Sequence, residues 1–241
     1  MLKPIAGAIA LALAACVHAD VVTQWNFNGP STATVPGGST GPTAAVGAGT
    51  ASLLGGVTAT FASGAASGGS SDPVTTAPPN YAWQTTSYGA QGSGSGERGV
   101  QFNVSTAGFF DISVSWDTRH SNTSSRFVQF QYSLDGVNFS SKNLADEGIF
   151  VADVGGDTWY NGRTVSLDGI AGASNNANFA FRIVAIFAPG TSEYLATTST
   201  STWAGTGTLR YDMVTVMGVV PAPGVVATLA LAGLVGSRRR R

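Results

Sequence analysis

The chain has 241 residues, 43% hydrophobic and 10% charged, with 12 Lys and Arg against 13 Asp and Glu and a formal net charge of −1. So few cations, with no basic cluster before residue 238, argue against nucleic acid or anionic lipid as a partner of the body. Cys16 is the only cysteine, so no intramolecular disulfide is available, and a body of about 200 residues must be held by its own core.

At the N-terminus Lys3 precedes an apolar run over 5–15, and Val17-His18-Ala19 stands before Asp20. This pattern predicts a signal peptide over 1–19, cleaved after Ala19. Leu13-Ala14-Ala15-Cys16 also reads as a lipobox, in which Cys16 is lipidated and becomes the first mature residue. With Lys3 and the four terminal arginines set aside, seven basic residues face thirteen acidic ones, so the body carries a net charge of −6.

Residues 20–79 form a stretch poor in charge. Between 29 and 77 there is no Lys, Arg or Glu, one acidic residue (Asp72) and one aromatic (Phe61), among many Gly, Ala, Ser and Thr. Segments 51–54 and 57–61 are apolar enough for short strands, so irregular coil with one or two edge strands is expected; a flexible, glycosylated spacer is the alternative. Residues 89–96 read as a mobile Gly- and Ser-rich loop.

The domain over 80–218 has the period of an all-β fold. Segments 100–104, 110–116 and 128–134 alternate apolar and polar side chains, which buries one face of each strand. Asp135-Gly136 signals a tight turn after the third of these. Further strands are predicted at 148–152, 158–167, 179–187 and 209–217. Short strands with Gly and Asn turns predict a two-sheet antiparallel β-sandwich.

The tail over 219–241 is an address. Pro221-Ala222-Pro223-Gly224 breaks regular structure, residues 225–236 are apolar, and Arg238, Arg239, Arg240 and Arg241 end the chain. A helix over 225–236 would be about 18 Å long, short of the roughly 30 Å hydrocarbon core, which suits a transient signal better than an ordinary C-terminal anchor. The tail resembles the PEP-CTERM sorting signal, with Ala222 where that motif has Glu. The resemblance implies export, an exosortase-like processing enzyme as partner, placement in the envelope or matrix with the arginines initially cytoplasmic, and a link to exopolysaccharide.

Within the body, Gln131-Tyr132-Ser133-Leu134-Asp135-Gly136 and the segment Leu209 through Val216 resemble parts of galactose-binding-like and concanavalin-like modules. That resemblance implies a sandwich of jelly-roll type, a last strand paired near the first, which would be 21–27 here, and a structural calcium near Asp212. Asp153 and Asp157, in a loop that also holds Asp146 and Glu147, form the other oxygen-rich candidate for calcium. No other cofactor is expected.

His120 is the only histidine of the mature body, and neither a nucleophile elbow nor a zinc constellation accompanies it. Sugar contact would fall to aromatics beside polar groups: Trp159, Tyr160 and Trp83, with Arg119 and Arg126 flanking the polar loop 121–125. Three functions follow in order: an exported structural or adhesive envelope protein; a non-catalytic carbohydrate-binding module; and a glycosidase, which would need two of Asp146, Glu147, Asp153, Asp157 and Glu193 to converge in a deep pocket.

Overall fold

Twelve antiparallel strands close around one aromatic core in a computed structural model that describes residues 18–28, 43–75 and 80–221. The strands are β1 (Ala19–Trp25), β2 (Val46–Gly47), β3 (Thr50–Leu54), β4 (Thr58–Ser63), β5 (Tyr81–Thr86), β6 (Arg98–Asn103), β7 (Phe110–His120), β8 (Phe127–Ser133), β9 (Ile149–Val151), β10 (Thr158–Ser166), β11 (Ala180–Ala185) and β12 (Leu209–Val219). No α-helix occurs among the described residues, and none of their helices is long and apolar enough to cross a membrane.

The seven-stranded sheet runs β10-β7-β12-β1-β2, with β5 also paired to β12 and β4 to β5; the five-stranded sheet runs β3-β6-β11-β8-β9. All pairings are antiparallel, and the non-sequential neighbours mark the crossovers of a jelly-roll sandwich. The last strand lies against the first, with Ala19 opposite Val219 and Trp25 opposite Val214. The charge-poor stretch before residue 80 supplies an edge strand to each sheet, β3 and β4.

Alternation explains why these segments pair as they do. Ile112, Val114 and Trp116 of β7 and Val128 and Phe130 of β8 point inward and are fully buried. Trp25 and Trp116 from one sheet meet Phe102, Phe181 and Phe130 from the other. Their ring centroids step 4.9, 4.9, 5.5 and 5.7 Å along the series Trp25, Phe102, Phe181, Phe130, Trp116. Each such pair adds about 0.5–1.5 kcal/mol beyond the area it buries, so this spine locks the two sheets in register.

At the edge between β9 and β10, Arg163 points inward. Its Nη2 donates to the Val151 carbonyl at 3.1 Å, and its guanidinium lies 4.7 Å from the Tyr160 ring centroid and 5.5 Å from that of Phe150. Burial pulls its pKa down to about 10. An inward-facing cation on an edge strand discourages edge-to-edge pairing with another chain.

Candidate functional site

The two outward faces of the sandwich differ in what covers them. On the seven-stranded sheet, register aligns Thr60, Gln84, Arg210, Arg119 and Trp159 across β4, β5, β12, β7 and β10. This row contains two of the residues expected to meet sugar, but it is already engaged. Arg119 is buried and bonds Asp157 at 2.5 Å, and Trp159 is buried with its Nε1 donating to the Ala66 carbonyl at 2.8 Å. Arg210 bonds Gln84 and the Ser63 carbonyl.

The other expected contacts are also spoken for. Trp83 is fully buried, stacked on Phe27 at 5.7 Å, and offers no face to solvent. Tyr160 is half-buried between Arg163 and His120, and Arg126 is half-buried with its Nε on the Ala196 carbonyl. These five residues do not form one aromatic platform, because strand alternation sends Trp83 and Tyr160 away from the face that holds Arg119 and Trp159.

The loop 64–74 is pinned to the same sheet by an acidic cluster. Asp117 of β7 and Asp212 of β12 are register partners, and both are buried. A β-bulge follows Asp212, where Met213 takes φ 47° and donates its N–H to Asp212 Oδ1 at 2.8 Å. Ser70 Oγ donates to Asp212 Oδ2 at 2.6 Å, while the amides of Ser71 and Gly162 donate to the two oxygens of Asp117 at 2.5 and 2.7 Å. Asp72, also buried, accepts from Asn28 Nδ2 and Val74 N, each at 2.7 Å.

Three carboxylates are thus buried around this loop. Burial, reinforced by the negative charges of Asp72 and Asp117, lifts the Asp212 pKa to about 8 against the bonds from Ser70 and Met213. Asn80 is 1% exposed and leaves its Oδ1 without a hydrogen-bond donor. That oxygen and Asp212 Oδ2 crowd the same point, since a Cβ on Gly64 would overlap Asn80 Oδ1 and lie 3.0 Å from Asp212 Oδ2. No three His, Cys, Asp or Glu side chains among the described residues are grouped closely enough to hold a metal alone. Calcium, however, also takes amide, hydroxyl and water oxygens, and Asn80 Oδ1 is one such oxygen with no donor on it.

Gly64→Ala should therefore push Asn80 out of place. We expect a loss of about 1–3 kcal/mol, read as a lower thermal midpoint; an unchanged midpoint would show that the loop tolerates a side chain there. The second calcium candidate fares differently. Asp157 is committed to Arg119, and Asp153 is exposed beside Tyr160.

The outward face of the five-stranded sheet carries a second row. Ser52 pairs with Gln101, Gln101 with Arg182, and Arg182 with Gln131, so four polar side chains line up across β3, β6, β11 and β8. All four are half-buried, and Phe139 closes the row with its ring 4.4 Å from the Arg182 guanidinium. Arg182 Nε donates to Gln131 Oε1 at 2.5 Å, Gln131 Nε2 to Gln129 Oε1 at 2.7 Å, and Gln101 Nε2 to Asn103 Oδ1 at 3.1 Å. Sequence reasoning passed over these residues, although the alternating Gln129 and Gln131 had marked the wet face of β8.

A cleft of the glycosidase kind would need converging carboxylates. Among the described residues, one depression of about 290 Å³ is lined by Thr50, Asn103, Ser105, Asp135 and Asn178 among others, and another of about 290 Å³ by 167–172 with Asp111 and Ser174. Neither is lined by Asp146, Glu147, Asp153, Asp157 or Glu193. Asp135 is held below the usual carboxylate range by bonds from the backbone and side chain of Asn138, then Val137 and Ser133, which suits a turn-capping role rather than a general acid.

No family model matches the chain, and no curated protein matches it. Among solved structures it is similar to the CBM22-1 xylan-binding domain from Paenibacillus barcinonensis Xyn10C, with a TM-score of 0.41 and 9% identity over 86% of this chain and 99% of that one. The CBM22-1-CBM22-2 tandem domain of the same protein gives a TM-score of 0.45 and 11% identity, covering 88% of this chain and 48% of the tandem. Such likeness is one of fold, and no residue correspondence is drawn from it.

Pro221 ends the described chain just beyond β12. Cys16, Pro223, Arg238, Arg239, Arg240 and Arg241, and with them the lipobox and most of the sorting tail, lie outside the described residues.

Proposed function

We propose that the protein is an exported, non-catalytic glycan-binding β-sandwich that meets its ligand on the outward face of the five-stranded sheet. The observation that carries this reading is the row Ser52, Gln101, Arg182 and Gln131, aligned across four strands and bounded by Phe139. Amide and guanidinium groups offer planar donors and acceptors to sugar hydroxyls, and hydrogen bonds from a charged donor are the stronger ones. The opposite face supports the choice, because its comparable row is partly roofed by the loop 64–74, where Trp159 donates to the Ala66 carbonyl.

Calcium has a structural part in this proposal. Asp72, Asp117, Asp212 and Asn80 would hold it, and the ion would neutralise buried carboxylates and fix the loop on the sheet, remote from any chemistry. Export and envelope placement rest on the signal-peptide pattern and the PEP-CTERM-like tail. A displayed glycan-binding domain would also serve the adhesive role that the tail suggests.

The test is a glycan array probed with the purified protein in calcium-containing buffer. Saturable binding to a defined set of polysaccharides is expected. Absence of binding to every glycan would remove this function and leave display or matrix structure in its place.

A further inference from the structure

Resting on the glycan-binding reading, we infer that the ligand is an uncharged, linear glycan laid perpendicular to the strands of the five-stranded sheet, and that Arg182 is the residue that orients it. Direction comes from register. Ser52, Gln101, Arg182 and Gln131 occupy one cross-strand line, and at about 4.8 Å between neighbouring strands the line spans about 14 Å, the length of a short run of sugar rings. Along β11 the outward neighbours of Arg182 are Ala180 and Val184, and Val184 pairs with Gly99. Ala180 and Val184 are fully buried. Both outward positions beside Arg182 are therefore covered, and the half-buried polar row lies between them across the strands.

The hydrogen-bond pattern sets Arg182 apart within that row. Its Nε is fixed on Gln131 Oε1 and its plane lies over Phe139. No acidic side chain among the described residues forms an ion pair with it. The Nη groups are left to meet an incoming ligand, and a planar fork of this kind bridges vicinal hydroxyls in a way a lysine cannot. Gln101 and Gln131 have their own Nε2 groups engaged by Asn103 and Gln129, so the amide planes are held before any ligand arrives.

Charge selects the ligand class. The row holds one cation and no carboxylate; burial disfavours the charge of Arg182, while the negative charge of nearby Glu97 stabilises the guanidinium and offsets part of its field. A body of net charge −6 repels a polyanion as a whole. A neutral polysaccharide therefore fits, and a polyuronate does not.

Affinity gel electrophoresis of the purified protein through hydroxyethyl cellulose, arabinoxylan or polygalacturonate distinguishes the outcomes. We expect retardation by at least one neutral polymer and none by polygalacturonate. Arg182→Ala should weaken the retardation about tenfold or more, Arg182→Lys should fail to restore it, and Gln101→Ala should weaken it by a smaller factor. Thr60→Ala, on the exposed edge of the other sheet, should leave it unchanged. Thermal midpoints confirm that each variant is folded, and Gln101→Ala carries the test if Arg182→Ala does not fold. Neutral-polymer binding that ignores the substitutions at Arg182 and Gln101 would overturn the inference while sparing glycan binding. Preferential binding to polygalacturonate, abolished by salt, would overturn the ligand class. Retardation by no polymer would sink the inference together with the reading it rests on.

Discussion

Calcium at about 1 mM, added to the chelator-treated protein, is expected to raise the thermal midpoint by roughly 5–10 °C. A ligand bound only by the folded state at about a hundred times its Kd contributes about 2.7 kcal/mol, and a domain of this size shifts by about 2–4 °C per kcal/mol. The expectation rests on the burial of Asp72, Asp117 and Asp212 and on the undonated Asn80 Oδ1. Asp212→Asn should abolish the response. The same substitution should stabilise the calcium-free protein at alkaline pH. Asp212 has a folded pKa raised from 3.8 to about 8, so its contribution is fully present below about pH 4 and is lost as pH rises through about 8. An identical midpoint with calcium and with chelator would remove the ion from the structure.

Acid should unfold the protein through His120. This side chain is fully buried, its Nδ1 is 2.9 Å from the Ser125 carbonyl, and its Nε2 has no partner. Against the carbonyl, Nδ1 is the protonated nitrogen of a neutral ring. Burial, with the charge of Arg163 added, drives its pKa from 6.5 down to about 3. A depressed pKa means that the unfolded chain binds the proton first. Stability from this group is present above about pH 6.5 and is lost as pH falls toward 3, on the order of 4 kcal/mol in all. Denaturant midpoints measured between pH 7 and 4 on the wild type and on His120→Gln should converge as pH falls. Parallel curves would show that His120 titrates freely in the folded state.

How much of this was legible beforehand depends on the range of the interaction. Period-two alternation in 110–116 and 128–134 is local, so the strands, their buried faces and the sandwich class could be read directly. The pairing of the last strand with the first followed from resemblance. Register between distant strands was not legible. Nothing local tells that Asp117 faces Asp212, or that Gln101 and Gln131 flank Arg182, because those neighbours are set by crossovers between non-consecutive strands. Asp72 and Asn80 sat in or beside a stretch whose composition reads as coil, and only the loop's return to the sheet brings them beside Asp212.

The aromatic residues show the same limit from the other side. Trp83 and Trp159 were equal candidates for sugar contact because a tryptophan beside polar groups looks alike in a core and on a platform. Tertiary packing separates them: Trp83 joins the interior, and Trp159 lies beneath the Ala66 carbonyl. The polar row on the opposite sheet has no tryptophan to announce it. Amide side chains on a strand read as ordinary solvent-facing residues until three partner strands place them in line.

The most direct test of glycan recognition on that sheet is a titration of the labelled protein with a neutral oligosaccharide, following side-chain amide signals by NMR. The account predicts that the NH2 resonances of Gln101, Gln129 and Gln131 shift together and saturably, while those of Gln84 and Asn161 on the seven-stranded sheet stay in place. Shifts confined to Gln84 and Asn161, or none at any ligand concentration, would contradict it.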